Sequence, residues 1–228
     1  MTKKILITGA QGNLGKACVT KFLQSGDQVF ALTTPGKEEN TESANLISLG
    51  IDLIHEEEVE TLVNTLIKKY QTIDAAVLTV GGFAMGSIHT TDKTALQKMI
   101  DLNFYTSYFV ARAVFQQMIQ QGHGRIIFIG ARPALDAQQG KNTFAYSLSK
   151  SMIFQLAELL NAEAKGKNVT ATVIVPSTID TPQNRASMPD ANFNDWVTAE
   201  EIAESIQYVV SDSARAWREP IIKLYNNS

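Results

Sequence analysis

Cysteine occurs once in the 228 residues, as Cys18, so no disulfide can form within the chain. Between Ala17 and Val19 it reads as a small buried hydrophobe rather than a reactive thiol. No apolar run approaches the roughly 20 residues that a bilayer-spanning helix needs, which excludes a membrane span. Neither sign of charge is in surplus. Lys+Arg 20 against Asp+Glu 23 gives a net charge of -3, so electrostatics recommends neither nucleic acid nor an anionic membrane as partner. Histidine is scarce, and His55, His89 and His123 show no i, i+4 pairing or neighbouring carboxylate with metal-ligand spacing, so no metal is expected. The start MTKKILITG runs straight into a strand pattern without a signal-peptide cleavage region, so the expected location is the cytoplasm. With 44% hydrophobic and 19% charged residues, the composition suits one compact domain over residues 1–228 and a small molecule as the partner.

What is present is a regular alternation. Short, nearly continuous apolar runs occur at 4–8, 28–32, 46–53, 74–80, 125–130, 170–176 and 220–225, as expected of strands covered on both faces. Between them lie helix-like stretches: LGKACVTKFLQSG, EEEVETLVNTLIKKY, the long TALQKMIDLNFYTSYFVARAVFQQMIQQG, TFAYSLSKSMIFQLAELLNAEAKG and TAEEIAESIQYVV. Three of them end near a Gly that can act as a stop, Glu56 to Glu58 suit a helix N-terminus, and Thr198 with Glu200 and Glu201 marks a helix start. The alternation predicts an α/β fold, a doubly wound sheet of about seven parallel strands with helices on both faces and ligands at the strands' carboxyl ends. The one long irregular segment, at about 177–197, is expected to bind or cover a substrate.

The first strand delivers TGAQGNLG. Gly9 suits the tight turn, Gly12 a close approach of a pyrophosphate, and Gly15 close packing of the helix on the sheet. Free N–H groups at the helix N-terminus favour phosphates, so the turn points to a nucleotide. At the end of the second strand stand Thr33 and Thr34 instead of a carboxylate, with Lys16 and Lys37 nearby. Nothing there repels a 2'-phosphate, and the reading leans to NADP over NAD.

Tyr146 and Lys150 stand four residues apart, on one face of a helix. A phenol of reference pKa about 10 exchanges protons near neutrality only if a positive charge favours its phenolate, and Lys150 can provide one. The ordered set of TGxxGxLG, Asp52 ahead of a helix, Gly-Gly after the fourth strand, Asn103 and Tyr-x-x-x-Lys resembles the short-chain dehydrogenase/reductase family over essentially the whole chain. The resemblance implies a three-layer Rossmann-like fold, a nicotinamide cofactor (NADP or NAD), hydride transfer, and a homodimer or homotetramer. It implies Tyr146 as proton donor, Lys150 as holder of the nicotinamide ribose and Asn103 as support for a proton-relay water. It also implies a cofactor surface of Gly9, Gln11, Gly12, Asn13, Leu14, Gly15, Thr33, Asp52, Leu53, Val80, Gly81, Gly82, Tyr146, Lys150, Pro176, Ile179 and Thr181.

Two departures stand out. Thr79-Val80-Gly81-Gly82 replaces the family's Asn-Asn-Ala-Gly. After the fifth strand the family presents a serine that hydrogen-bonds the substrate carbonyl, whereas Gly130, Ala131 and Arg132 carry no hydroxyl; the next hydroxyls are Thr143 and Ser147. Loss of such a donor costs an oxyanion-stabilising site about 2.7–4 kcal/mol. The dihydropteridine reductase branch also lacks that serine. GARPALD, AYSLSK and the segment holding Asp180, Thr181, Pro182, Asn184, Arg185, Met188, Pro189, Ala191, Phe193 and Trp196 resemble that branch. Its implied acceptor, a quinonoid dihydropterin, takes up hydride and proton without building a full alkoxide. The alternatives are a short-chain carbonyl or alcohol oxidoreductase of other substrate and a non-catalytic NAD(P)H sensor. Phe83, Met85, Phe193 and Trp196 either cover a flat substrate or form a plug or subunit contact, and Arg185 either meets the substrate or pairs with Asp190.

Overall fold

The computed structural model describes residues 2–38 and 44–227. The chain alternates strand and helix as β1 (Lys4–Thr8), α1 (Asn13–Gln24), β2 (Gln28–Thr33), β3 (Leu46–Gly50), α2 (Glu56–Tyr70), β4 (Ala75–Leu78), α3 (Lys93–Ile100) and α4 (Thr106–Gln121). It continues as β5 (His123–Ile129), α5 (Ala137–Gly140), α6 (Phe144–Glu163), β6 (Asn168–Pro176), β7 (Ile179–Asp180), α7 (Pro182–Ser187), β8 (Val197–Thr198), α8 (Ala199–Val210) and β9 (Ile221–Leu224). Seven strands form one sheet in the order β3-β2-β1-β4-β5-β6-β9, every pairing parallel.

Strand alternation builds two cores. Leu6, Phe30, Leu32, Ala76, Leu78, Ile126 and Phe128 face α2, α4 and α6, whereas Ile5, Ile7, Val29, Ala31, Val77 and Ile127 face α1 and α8. Burying each of the larger side chains stabilises the fold by roughly 1.5–3 kcal/mol. Cys18 is free and wholly buried in the second core. The expected stops are present: Gly26, Gly122 and Gly166 all take left-handed φ values just past α1, α4 and α6. Thr198 and Glu201 form a reciprocal capping box at the start of α8.

Four expectations change. β3 ends at Gly50 and β4 at Leu78, each before the apolar run ends. The long helix expected across 94–122 is two helices, α3 and α4, joined by a π-helical turn over Asp101–Tyr105. The segment at 177–197 is not irregular: β7 pairs in parallel with β8, Thr181 caps α7, and a 3-10 turn spans Phe193–Asp195. Two histidines do face carboxylates, His123 through a tertiary contact and His55 through a local one three residues back. His123 Nε2 lies 2.8 Å from Asp74 Oδ1 at the start of β5, and His55 Nε2 lies 3.7 Å from Asp52 Oδ2.

The strand order reverses between β1 and β4, the switch point at whose carboxyl ends doubly wound sheets form their ligand crevice. Thr79 fastens that edge, its N–H donating to Thr8 Oγ1 (3.1 Å) and its hydroxyl to Thr8 O (2.6 Å).

Candidate active site

The glycine-rich turn leaves β1 at the switch point. Gly9 has φ +63°, and a Cβ on Gly15 would lie 2.1 Å from Gly9 O, so α1 can begin this close to the strand only with glycine at both positions. The N-terminus of α1 has no side-chain cap and no acid in its first turn, which leaves its N–H groups to an anion. Asn13 Nδ2 donates to Gln183 Oε1 at 3.1 Å, joining the turn to α7, while Leu14 is buried in the core beneath. Gln11 Nε2 donates to Thr34 Oγ1 at 2.7 Å, and Gln11 Oε1 is buried without a partner among the described residues.

Thr33 does not present its side chain to the crevice. It is buried, with its hydroxyl 3.5 Å from Leu49 O, and Thr34 is the exposed hydroxyl at the end of β2. Strand alternation places neighbours on opposite faces, so of the two threonines at the end of β2 only Thr34 presents its hydroxyl. Asp52 is exposed and bonded through Oδ1 to Ile54 N, beside the buried Leu53.

Three elements converge beside the end of β4. A Cβ on Gly81 would lie 2.9 Å from Asn103 Oδ1 and 3.1 Å from Lys150 Nζ, and one on Gly82 would lie 2.4 Å from Leu102 Cδ2. A side chain at Gly81 would crowd the buried Asn103 amide, whereas one at Gly82 would meet the far end of Leu102. Asn103 is wholly buried on the π-helical turn, accepting from Gly82 N (2.8 Å) and donating to Ser149 Oγ (3.0 Å), which in turn donates to Tyr146 O (2.8 Å). Widened turns of this kind recur at functional sites. Ser149 was not singled out from sequence. Its only signal is a position one turn along the face of α6 that also carries Tyr146.

Lys150 is buried and donates to Ile129 O at 2.8 Å; burial pulls its ammonium down to about 8. Tyr146 is half-buried, with Phe83 edge-on at 5.1 Å between ring centroids, and burial pushes its phenol up to about 12. The loop carrying Phe83 is pinned over the start of α6 by Gly86 N to Asn142 O and Phe144 N to Gly86 O, both 2.8 Å. Phe83 and Met85 nonetheless remain 61% and 70% exposed at the mouth.

No hydroxyl replaces the absent serine from the strand itself. Ala131 is buried, and a Cβ on Gly130 would press on Val173, Phe154 and Val175. Thr143 Oγ1 and Ser147 Oγ lie 2.9 Å apart and both reach Gly140 O.

Phe193 and Trp196 pack on each other at 4.8 Å, Trp196 buried, while Phe83 and Met85 stay exposed; the four aromatic and thioether side chains do not act as one group. Arg185 pairs with Asp180, not Asp190: Nε and Nη2 each donate at 2.6 Å, and its guanidinium covers Phe193. This bidentate bond holds the Asp180 carboxyl below the usual range. Ile179 accepts from Asn184 Nδ2 at its carbonyl, and Thr181 caps α7, so both tie β7 to α7. Pro176 ends β6, and the next residue, Ser177, has a buried hydroxyl without a partner among the described residues. The sequence reading passed over Ser177; its place directly after Pro176 was the available signal.

The short chain dehydrogenase family model matches residues 3–192. The chain belongs to the short-chain dehydrogenase family. As a member it is an NAD(P)-dependent oxidoreductase, and the crevice fits such a cofactor: uncapped N–H groups and glycines at α1, and orphaned polar atoms at Gln11 and Ser177. A dihydropteridine reductase of Dictyostelium discoideum is 29% identical over 232 residues, covering 100% of this chain and 96% of that one. A 2-(R)-hydroxypropyl-CoM dehydrogenase of Xanthobacter autotrophicus is 25% identical, covering 94% of this chain and 93% of that one. Among solved structures, NADP-bound ElxO has the same fold at TM-score 0.89 and 20% identity, covering 98% of this chain and 97% of that one. Among the described residues no helix is long and apolar enough to cross a membrane.

Proposed function

We propose that this short-chain dehydrogenase reduces a flat, conjugated acceptor of the quinonoid dihydropterin class. The observation that carries the reading is the pairing of a half-buried Tyr146, whose phenol is pushed up to about 12, with a hydroxyl-free end of β5. A site without the serine-type donor stabilises an alkoxide poorly, whereas a polarised C=N–C=C acceptor needs only a hydride and a proton. The bound reduced nicotinamide supplies the hydride. Tyr146 donates the proton, while both electrons enter the acceptor with the hydride. Lys150 holds positive charge near the phenol and the nicotinamide ribose, and Asn103 fixes the Gly82 loop and the Ser149 turn around them. Phe83, exposed at the mouth and edge-on to Tyr146, offers the face on which a flat acceptor lies. The dihydropteridine reductase of Dictyostelium discoideum, similar over the full length of this chain, supports the same substrate class.

The test is steady-state oxidation of NADPH and NADH with chemically generated quinonoid dihydropterin, beside a carbonyl panel and an enzyme-free control for spontaneous reduction. Enzyme-dependent pterin turnover is expected. Turnover on carbonyls alone discards the pterin reading and directs attention to the Thr143 and Ser147 hydroxyls; tight cofactor binding without any turnover supports a sensor.

NADPH is the preferred reductant in this reading. The turn after β2, Thr34-Pro35-Gly36-Lys37, closes through Lys37 N to Thr34 O; the Glu38 carboxylate is turned back onto it, accepting from Gly36 N at 3.1 Å, and neither Lys16 nor Lys37 is in an ion pair among the described residues. Gln11, held by Thr34, offers its remaining amide atoms to the ribose. Thr34→Asp sets a like charge against the 2'-phosphate and is expected to shift the kcat/KM ratio toward NADH by about tenfold or more. An unchanged ratio places the 2'-phosphate elsewhere.

The half-buried, mutually packed rings of Phe104, Tyr105, Tyr108 and Phe109, with Leu148 and Leu159 exposed on α6, support a homodimer or homotetramer through these helices. A free, buried Cys18 accords with a cytoplasmic setting.

A further inference from the structure

At the opposite end of the strands, where β6 begins, lies a concavity of about 510 Å³. Its lining includes Lys165, Lys167, Asn168, Arg215 and Arg218 and contains no acidic residue. None of these four cations is in an ion pair among the described residues. The chain as a whole carries a net charge of -3, so four unpaired cations around one hollow run against its overall balance.

A fifth cation stands behind the lining. Arg125, only 7% exposed, donates to Gly124 O (2.8 Å), Asn168 O (2.8 Å) and Asn168 Oδ1 (2.9 Å), all neutral acceptors. Asp212 is the acid close enough to act on it, and Asp212 is held by Lys3 Nζ at 2.9 Å. A buried guanidinium that lacks a carboxylate is costly, and a buried charge is ordinarily paired. Burial, and then the fields of Arg218 and Arg215, weigh against its charged form. An anion in the hollow supplies the missing counter-charge to all five.

The floor is rigid enough to hold such a ligand. Asn161 near the end of α6 makes two 2.8 Å bonds with Ala171, donating to its carbonyl and accepting from its N–H, which locks the helix to β6 beside the hollow. With its oxygen taken by Arg125, Asn168 keeps its amide nitrogen as a neutral donor at the lining.

We infer that this hollow is a binding site for a small, multiply charged anion of the phosphate class, an organic phosphate or polyphosphate. Arginine pairs suit such oxygens because their donors fork, and lysines add point charge. The site is separate from the dinucleotide crevice. β6 runs nine residues from Asn168 at the hollow to Pro176 at the crevice, a span of roughly 26 Å at strand rise.

Inorganic pyrophosphate is the probe, titrated calorimetrically into the cofactor-free protein at low ionic strength, with sodium chloride at matched ionic strength as the control. Wild type and the double variant Lys167→Gln, Arg218→Gln are compared. Both side chains are exposed and neither lies near Tyr146, so NADPH turnover is expected to be unchanged. Pyrophosphate held by the glycine-rich turn contributes equally to both proteins and cancels. The expected result is a saturable event in the wild type that weakens by about tenfold or more in the variant, with loss of the Tm rise that pyrophosphate gives the wild type. Equal binding by the two proteins, or a wild-type response that chloride reproduces, overturns the inference.

Discussion

Tyr146→Phe is expected to lose about 10²–10⁴-fold in turnover, the usual contribution of a positioned general acid, while its affinity for the cofactor changes little. The substitution removes one oxygen and nothing else. The ring keeps its edge contact with Phe83, and no described residue hydrogen-bonds the Tyr146 hydroxyl, so no buried partner is orphaned. Stability should stay within about 1 kcal/mol of the wild type, which separates a chemical loss from an unfolding one. Burial holds the phenol at about 12, so across pH 6–9 it is protonated and ready to donate; the reductive rate should not fall in that range through tyrosine ionisation. In the oxidative direction the same burial is a handicap, because a phenolate must form, and only positive charge from Lys150 and an oxidised nicotinamide lowers that barrier. Parallel turnover assays and fluorescence titration of NADPH decide the matter. A variant that retains near-native turnover removes Tyr146 from the mechanism.

Much of this site is local in sequence, and that part was legible. Three glycines after a strand, a Tyr and a Lys one turn apart, and a Thr-x-x-Glu cap each work through neighbours a few residues away. The parallel sheet is legible for a related reason: a strand covered on both faces must be apolar at nearly every position. The parts that escaped depend on chain segments far apart in sequence. Asn103 sits in an apolar helical pattern, and nothing in that periodicity signals the extra residue that widens its turn. Its partners, Gly82 and Ser149, come from a loop and from another helix. Arg185 had acids available on both sides, and only folding selects Asp180, because the first turn of α7 brings the guanidinium back over β7. Thr33 and Thr34 stand side by side at the end of β2, yet only Thr34 is exposed: in a strand, one residue reverses the face.

Lys150→Met is expected to abolish most turnover and to raise the KM for NADPH, yet to leave the cofactor-free protein as stable as the wild type or more so at pH 7. The two effects share a cause. Lys150 is fully enclosed, and burial lowers its pKa from 10.5 to about 8, a preference for the neutral form that corresponds to a cost of about 3 kcal/mol for keeping it charged. Methionine fills similar volume without that cost, although it orphans Ile129 O, which Lys150 now satisfies, at about 1–3 kcal/mol. The balance is near zero or favourable at neutral pH. The pH dependence carries the sign. Below about 8 the lysine is protonated in both folded and unfolded states and its burial penalty is fully present. Between about 8 and 10.5 the unfolded chain binds more protons than the folded one, so wild-type stability gains with rising pH through this group and the penalty disappears. The difference in Tm between variant and wild type should therefore move in favour of the wild type across that window. Thermal melts of both proteins from pH 7 to 10.5, run with NADPH kinetics at pH 7, read both halves. A steep loss of Tm in the variant at pH 7 makes Lys150 a structural tie to β5 first, whereas a stable but inactive variant shows a charge kept in the interior for the reaction it serves.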